Sequence, residues 1–175
     1  MKVFFDIDTQ MDFVFPSGAL YTPGAESVIP AVAALNRYAS QNGIRLVSTV
    51  CSHTEDAEEF KTWPPHCIAG TLGQRKPEST LVPNQILLPK NELDLFSNPE
   101  TEKLLEDECV VYGVLTEFCV KHAIMGMLAR GRKVSLVTDA VYALSQTEAA
   151  RVIEDFRAAG GTCYSAGMTG SIPSF

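Results

Sequence analysis

Two hydrophobic periods alternate along the chain. Val3–Ile7, Arg45–Val50, Ile86–Leu88, Cys109–Leu115, Val134–Thr138 and Thr162–Ser165 are short apolar runs, several rich in β-branched residues, bounded by polar or turn-forming positions. Runs of this length and composition predict strands buried on both faces of a parallel sheet. Between them the spacing becomes helical. In 25–42 the apolar positions Val28, Ile29, Val32, Leu35 and Tyr38 share one face, with Pro30 in the first turns and Gly43 closing the segment. In 117–130, Val120, Ile124, Met127 and Leu128 do the same before Gly131, and a helix is also predicted over 99–106. Ser145-Gln146-Thr147-Glu148 reads as a capping box opening a helix that runs to Ala159. Strands alternating with helices predict an α/β fold of three layers, α/β/α, with one mostly parallel sheet of about six strands. No linker or repeat interrupts the pattern, so residues 1–175 are read as a single domain.

The places where the period changes carry the candidate chemistry. The strand beginning at Cys109 gives way to helical spacing at Leu115-Thr116, which puts Cys119 in a first helical turn. Unpartnered N–H groups and the helix dipole there favour a thiolate and can lower a cysteine pKa to roughly 3.5–7.5. Buried cysteines also serve simply as small hydrophobes. Asp8 ends the first strand, where open α/β sheets bind ligands, although a structural turn role fits the position equally well. Asp6 lies inside that strand, and Asp12 reads as a loop or capping residue. The polar stretch 51–67, CSHTEDAEEFKTWPPHC, brings Cys51, His53, Glu59 and His66 into one loop. This thiolate, imidazole and carboxylate set suits zinc or another first-row divalent ion, although its spacing matches no zinc-finger framework and a solvated acidic loop would look the same. Trp63-Pro64-Pro65 makes a stiff aromatic wall. Segment 70–84 reads as a loop with Arg75 and Lys76 on its surface. Lys90, at a strand end, has the position of an ordinary solvated charge.

Composition narrows the partners. A formal charge of -7 with no basic run argues against nucleic acid and against an anionic membrane surface, leaving a small molecule. The opening MKVFFDID reaches an aspartate too soon for a signal peptide, and no stretch approaches the roughly 18 apolar residues of a membrane span. A cytoplasmic protein is expected. Five scattered cysteines are then core residues, ligands or a nucleophile rather than disulfides.

Four motifs in this order resemble the isochorismatase-like cysteine hydrolases and, within them, the nicotinamidases. They are Asp8-Thr-Gln10-Met-Asp12-Phe13 after a strand; His53 followed by Trp63-Pro-Pro-His66-Cys-x-x-Gly-Thr71; Lys90 after an apolar run; and Gly113-Val-Leu-Thr116-x-x-Cys119-Val120. The likeness extends from Val3 to about Ser165. It implies Asp8, Lys90 and Cys119 as catalytic residues, and an oxyanion hole from the backbone N–H groups of Leu115 and Cys119 with a cis peptide at Val114-Leu115. It also implies a metal held by Cys51, His53, Glu59 and His66 that binds a substrate ring nitrogen. Phe13 and Trp63 would flank a flat ring, and Val114 and Phe118 would close the pocket. Cys51 departs from the family, which has aspartate there; a soft thiolate among the ligands would favour Zn2+.

The implied reaction is ammonia release from a small aromatic amide, nicotinamide to nicotinate, through a Cys119 thioester, in a homo-oligomer. Its base role requires Asp8 to be buried, to offset the pull of a neighbouring lysine. A metal-free amidase or ureido hydrolase with the same catalytic residues is the alternative. A catalytically idle member that binds a ligand or metal is the alternative of another class.

Overall fold

The computed structural model describes residues 1–165 and 167. Strands β1 (Lys2–Ile7), β2 (Arg45–Cys51), β3 (Ile86–Lys90), β4 (Glu108–Val114), β5 (Lys133–Tyr142) and β6 (Thr162–Tyr164) form one sheet in the order β3-β2-β1-β4-β5-β6. All five pairings are parallel. The helices are α1 (Met11–Val14), α2 (Ile29–Gln41), α3 (Thr101–Leu104), α4 (Lys121–Ala129) and α5 (Gln146–Ala158).

Side-chain alternation on the central strands makes the two cores. Val3, Phe5 and Ile7 of β1 join Val111 of β4, Ile124 and Met127 of α4, and Val152 and Phe156 of α5 in one cluster. Phe4 points the other way and joins Val110, Tyr112, and Val32, Leu35 and Ala39 of α2 in the second. Each full burial of such a side chain contributes about 1.5–3 kcal/mol. These two clusters are the faces of the three-layer α/β/α fold. Among the described residues no helix is long and apolar enough to cross a membrane.

Several elements differ from their sequence-based bounds. The segment 25–42 begins as a 3-10 turn, Ala25–Val28, before α2 proper, while Met11–Val14, expected in a loop, is helical. The helix expected over 99–106 shrinks to α3, and the one over 117–130 is split into a π-helical turn, Thr116–Val120, and α4. β5 continues past Asp139 to Tyr142, because it is paired with β4 through a register shift between Val111 and Gly113. Gly113 itself has φ 118, and a Cβ there would lie 2.1 Å from the Ile7 carbonyl oxygen, so β1 and β4 approach this closely only around glycine.

The largest reversal concerns Lys76, expected on the surface. It is buried, with Nζ 2.9 Å from Asp6 and 3.1 Å from the Thr9 carbonyl oxygen. Asp6 is fully buried inside β1 and also accepts hydrogen bonds from Thr9, Asn36 and Ser48. A carboxylate withdrawn from water so completely needs a cation, and the loop supplies one.

Candidate active site

Asp8 is the first residue beyond β1 and is fully buried, in the left-handed region at φ 46. Its conformation is held by Thr49, from the neighbouring strand β2. The Thr49 hydroxyl accepts from the Asp8 N–H at 3.1 Å and donates to Asp8 Oδ1 at 2.6 Å. Asp8 Oδ2 lies 2.8 Å from Nζ of Lys90, the last residue of β3. Far from being a solvated strand-end charge, Lys90 is buried, and its ammonium also donates to the Glu92 carbonyl oxygen at 2.9 Å. Burial by itself would lower the Lys90 pKa, but the surrounding Asp8, Cys119 and Cys51 outweigh it and hold the pKa well above the ordinary lysine value.

Cys119 reaches the same ammonium from the opposite side, with Sγ 3.6 Å from Lys90 Nζ. It sits in the π-helical turn that follows the cis peptide Val114-Leu115. The turn is anchored from within and from outside: the Val120 N–H bonds the Leu115 carbonyl, and the Glu117 carboxylate accepts the Ser145 N–H at 2.6 Å. The capping box at α5 is therefore half formed. Ser145 Oγ accepts from the Glu148 N–H, but the reciprocal acceptor is Glu117 from the turn that carries Cys119, not Glu148.

The surroundings of Cys119 do not favour the thiolate expected at a helix start. Hydrogen bonding with the Cys51 thiol, followed by burial, pushes the Cys119 pKa well above the ordinary thiol value, against the pull of Lys90. Cys51 accounts for the difference. As the last residue of β2 it is registered beside Lys90, and its Sγ lies 3.3 Å from Lys90 Nζ.

Of the four expected metal ligands, three are gathered. His53, Glu59 and His66 each present a ligand atom within 4.8 Å of the others; Cys51 is not in this group, its sulfur being directed to Lys90. The two Glu59 oxygens face His53 Nε2 at 3.5 Å and His66 Nε2 at 3.6 Å, while His66 Nδ1 is satisfied by the Pro64 carbonyl at 2.8 Å. Neither nitrogen of the buried His53 has a hydrogen-bond partner among the described residues. Two imidazole nitrogens and a carboxylate, with an orphaned buried ring, fit a first-row divalent cation.

The metal-free protein carries an acid-stability signature at this cluster. Burial, then the nearby His66 and Lys90, lower the His53 pKa to about 4. Folding thus favours neutral His53, and in the window between about 4 and the unfolded value of 6.5 the unfolded chain binds the extra proton. This contribution is present above 6.5 and lost as the pH falls toward 4, on the order of 2–3 kcal/mol in all. Urea melts of metal-free protein at steps from pH 7 to 4 check this, with His53→Gln expected to flatten that part of the dependence.

A cavity of about 120 Å³ opens beside the two thiols. An apolar cavity of roughly 150 Å³ accommodates benzene, so this space suits one small ring. All four expected wall residues, Phe13, Trp63, Val114 and Phe118, line it, together with Leu115, Cys119, Cys51, Glu59 and His66. Trp63 meets Phe118 edge to face at a centroid distance of 5.8 Å, and Phe13 meets His66 at 5.4 Å. No lysine or arginine is among the described residues lining the cavity.

The supporting residues were mostly invisible to sequence reasoning. Gln10 clamps the Cys51 backbone from both sides, accepting its N–H at 2.7 Å and donating to its carbonyl at 2.9 Å. Asp12, read as a capping residue, accepts the N–H groups of Ala19 and Cys67. The alternating Asp8-x-Gln10-x-Asp12 spacing was the available signal for these two. Thr49, in the interior of an apolar strand, gave none. Thr49→Val removes both of its bonds to Asp8 while nearly preserving shape. On the expectation that Asp8 is the base of an amide hydrolase, kcat should fall on the order of 10²-fold with little change in KM, and Thr49→Ser, which keeps the hydroxyl, should recover most of it in steady-state assays of amide hydrolysis.

Residues 2–167 match the family model described as the isochorismatase domain. Two curated relatives are nicotinamidases. That of Saccharomyces cerevisiae is 23% identical, over 79% of this chain and 87% of the relative, and that of Escherichia coli is 22% identical, over 90% and 92%. Among solved structures, the pyrazinamidase of Pyrococcus horikoshii in complex with zinc superposes with a TM-score of 0.88 at 26% identity, covering 94% of this chain and 98% of the other.

Proposed function

The chain belongs to the isochorismatase family of hydrolases, and from that premise we propose that it releases ammonia from a small, uncharged aromatic amide of the nicotinamide type. The observation that carries this reading is the juxtaposition of Cys119, Lys90 and Asp8 beside a ring-sized apolar cavity without a cation in its wall.

In the proposed reaction, Asp8 takes the Cys119 proton as the sulfur attacks the amide carbonyl. Asp8 is fully buried beside the Lys90 ammonium, which supports that role. Lys90 stays an ammonium throughout. It fixes the Asp8 carboxylate, and its charge beside Sγ favours the thiolate as it forms. The oxyanion would be received by the N–H groups of Leu115 and Cys119, where one such donor is worth about 2.7–4 kcal/mol. Asp8 then returns its proton to the departing nitrogen. Ammonia leaves, and water cleaves the resulting thioester with Asp8 again as base. His53, Glu59 and His66 would hold a divalent ion such as zinc; when bound it supplies a Lewis acid to which a ring nitrogen can coordinate. Phe13, Trp63 and Phe118 would orient the ring and exclude water.

The ureido-hydrolase reading is weaker on the same evidence. Ureido acids carry a carboxylate, and this cavity offers it Glu59 and apolar walls rather than a guanidinium or ammonium. Ammonia release measured over nicotinamide, pyrazinamide, benzamide, aliphatic amides and ureido acids tests the proposal. The expected order places the heteroaromatic amides first, at least ~10²-fold above the ureido acids in kcat/KM, a discrimination of about 2.7 kcal/mol. A ureido acid at the top would overturn it. Benzamide, which lacks the ring nitrogen, should lose its disadvantage in protein stripped of metal.

A further inference from the structure

We propose that Cys51 and Cys119 are a hydroperoxide-sensitive thiol pair, in which Cys119 takes the oxidising oxygen and Cys51 resolves it to an intramolecular disulfide. The inference rests on the reading of Cys119 as the nucleophile and goes beyond it.

Three observations carry it. First, both sulfurs contact one atom, Lys90 Nζ, at 3.3 and 3.6 Å. Lys90 Nζ donates to both sulfurs as well as to the Glu92 carbonyl oxygen at 2.9 Å, while Asp8 Oδ2 pairs with it as an ion at 2.8 Å, so one donor atom holds both sulfurs. Second, both line the same cavity, and a molecule as small as hydrogen peroxide can reach either through it. Third, the remaining cysteines lie outside this cavity: Cys67 and Cys109 are fully buried, with thiols pushed up chiefly by burial, and Cys163 is on the edge strand β6.

The chemistry uses the groups already in place. Asp8 accepts the Cys119 proton and the sulfur attacks one peroxide oxygen. The O–O bond breaks and the departing hydroxide takes that proton to become water. The sulfur, oxidised by two electrons, is now a sulfenic acid. Cys51 Sγ attacks it, the S–O bond breaks, and the hydroxyl group leaves with the Cys51 proton as a second water. Two thiols and one peroxide thus give one disulfide and two waters. The disulfide consumes the nucleophile reversibly and shields it from the irreversible sulfinic and sulfonic states.

The test is peptide mapping by mass spectrometry, without reduction, of the full-length protein treated with graded hydrogen peroxide. The expected product is one peptide pair joined through Cys51 and Cys119, lighter by two hydrogens than the separate peptides and regenerated by dithiothreitol. Amide turnover should fall to background in step with it and return on reduction. In Cys51→Ser, Cys119 should instead gain two or three oxygens, with no recovery; Cys51→Ala is the second variant should the first fold poorly. Over-oxidised Cys119 unlinked to Cys51 in the wild type overturns the pair while leaving the nucleophile in place. A crosslink through Cys163 overturns it equally. If Cys119 accepts neither oxygen nor iodoacetamide, the nucleophile reading falls together with it.

Discussion

Cys119→Ala is expected to abolish amide turnover, by roughly 10⁴-fold or more, while the protein remains folded. Removing the nucleophile of a covalent hydrolase leaves only binding and oxyanion stabilisation, neither of which forms the acyl intermediate. The structural cost is small for a physical reason. Cys119 is buried at the edge of one core cluster but also lines the cavity, and the substitution removes one sulfur atom. Circular dichroism and a thermal melt close to wild type, with ammonia release at background, is the expected pair of results. Retained turnover in the folded variant would remove the basis of the proposed mechanism.

Lys90→Met should be more damaging to the fold and nearly as damaging to activity. Methionine fills a similar volume but leaves the fully buried Asp8 Oδ2 without its ammonium. Breaking a buried pair from one side typically costs about 3–5 kcal/mol. The variant can recover part of this only by protonating Asp8, which removes the base and makes its stability fall as pH rises. Its deficit against wild type should therefore narrow on acidification, and turnover at neutral pH should drop on the order of 10³-fold or more, the scale of lost acid-base and electrostatic assistance. A double variant, Asp8→Asn with Lys90→Met, removes both charges and should regain a substantial part of the stability without any activity. Denaturant melts of the two single variants and the double close that cycle. Additive losses would show that Asp8 and Lys90 do not act as a coupled pair.

These two expectations depend on features of unequal legibility. The sheet was readable because burial on both faces writes continuous apolar runs into the strands, and α2 because one buried face repeats every three to four residues. The boundaries were less so. The segment 117–130 reads as one helix because Val120, Ile124 and Met127 share a face, yet the turn carrying Cys119 is π-helical and Phe118 within it departs from helical dihedrals. Hydrophobic period records which side is buried, and a local change in winding barely alters it. Asp8, Cys119, His53, Glu59 and His66 stood out by type and place, whereas Lys90 read as a solvated charge until the family resemblance singled it out; all six converge on one end of the sheet.

What the sequence by itself determined was the layered α/β architecture and the identity of the side chains brought to one crevice, because both are set by local period and by motifs a few residues long. Tertiary structure alone decided their chemical state and partners. It turned the Cys51 sulfur from the metal cluster to Lys90, raised rather than lowered the Cys119 pKa, drew Lys76 from an expected surface loop to the buried Asp6, and completed the cap of α5 with Glu117. Each of these rests on contacts between groups far apart in the chain, where burial and the nearest charge, not neighbouring residues, set the free energy of the proton and of the side chain.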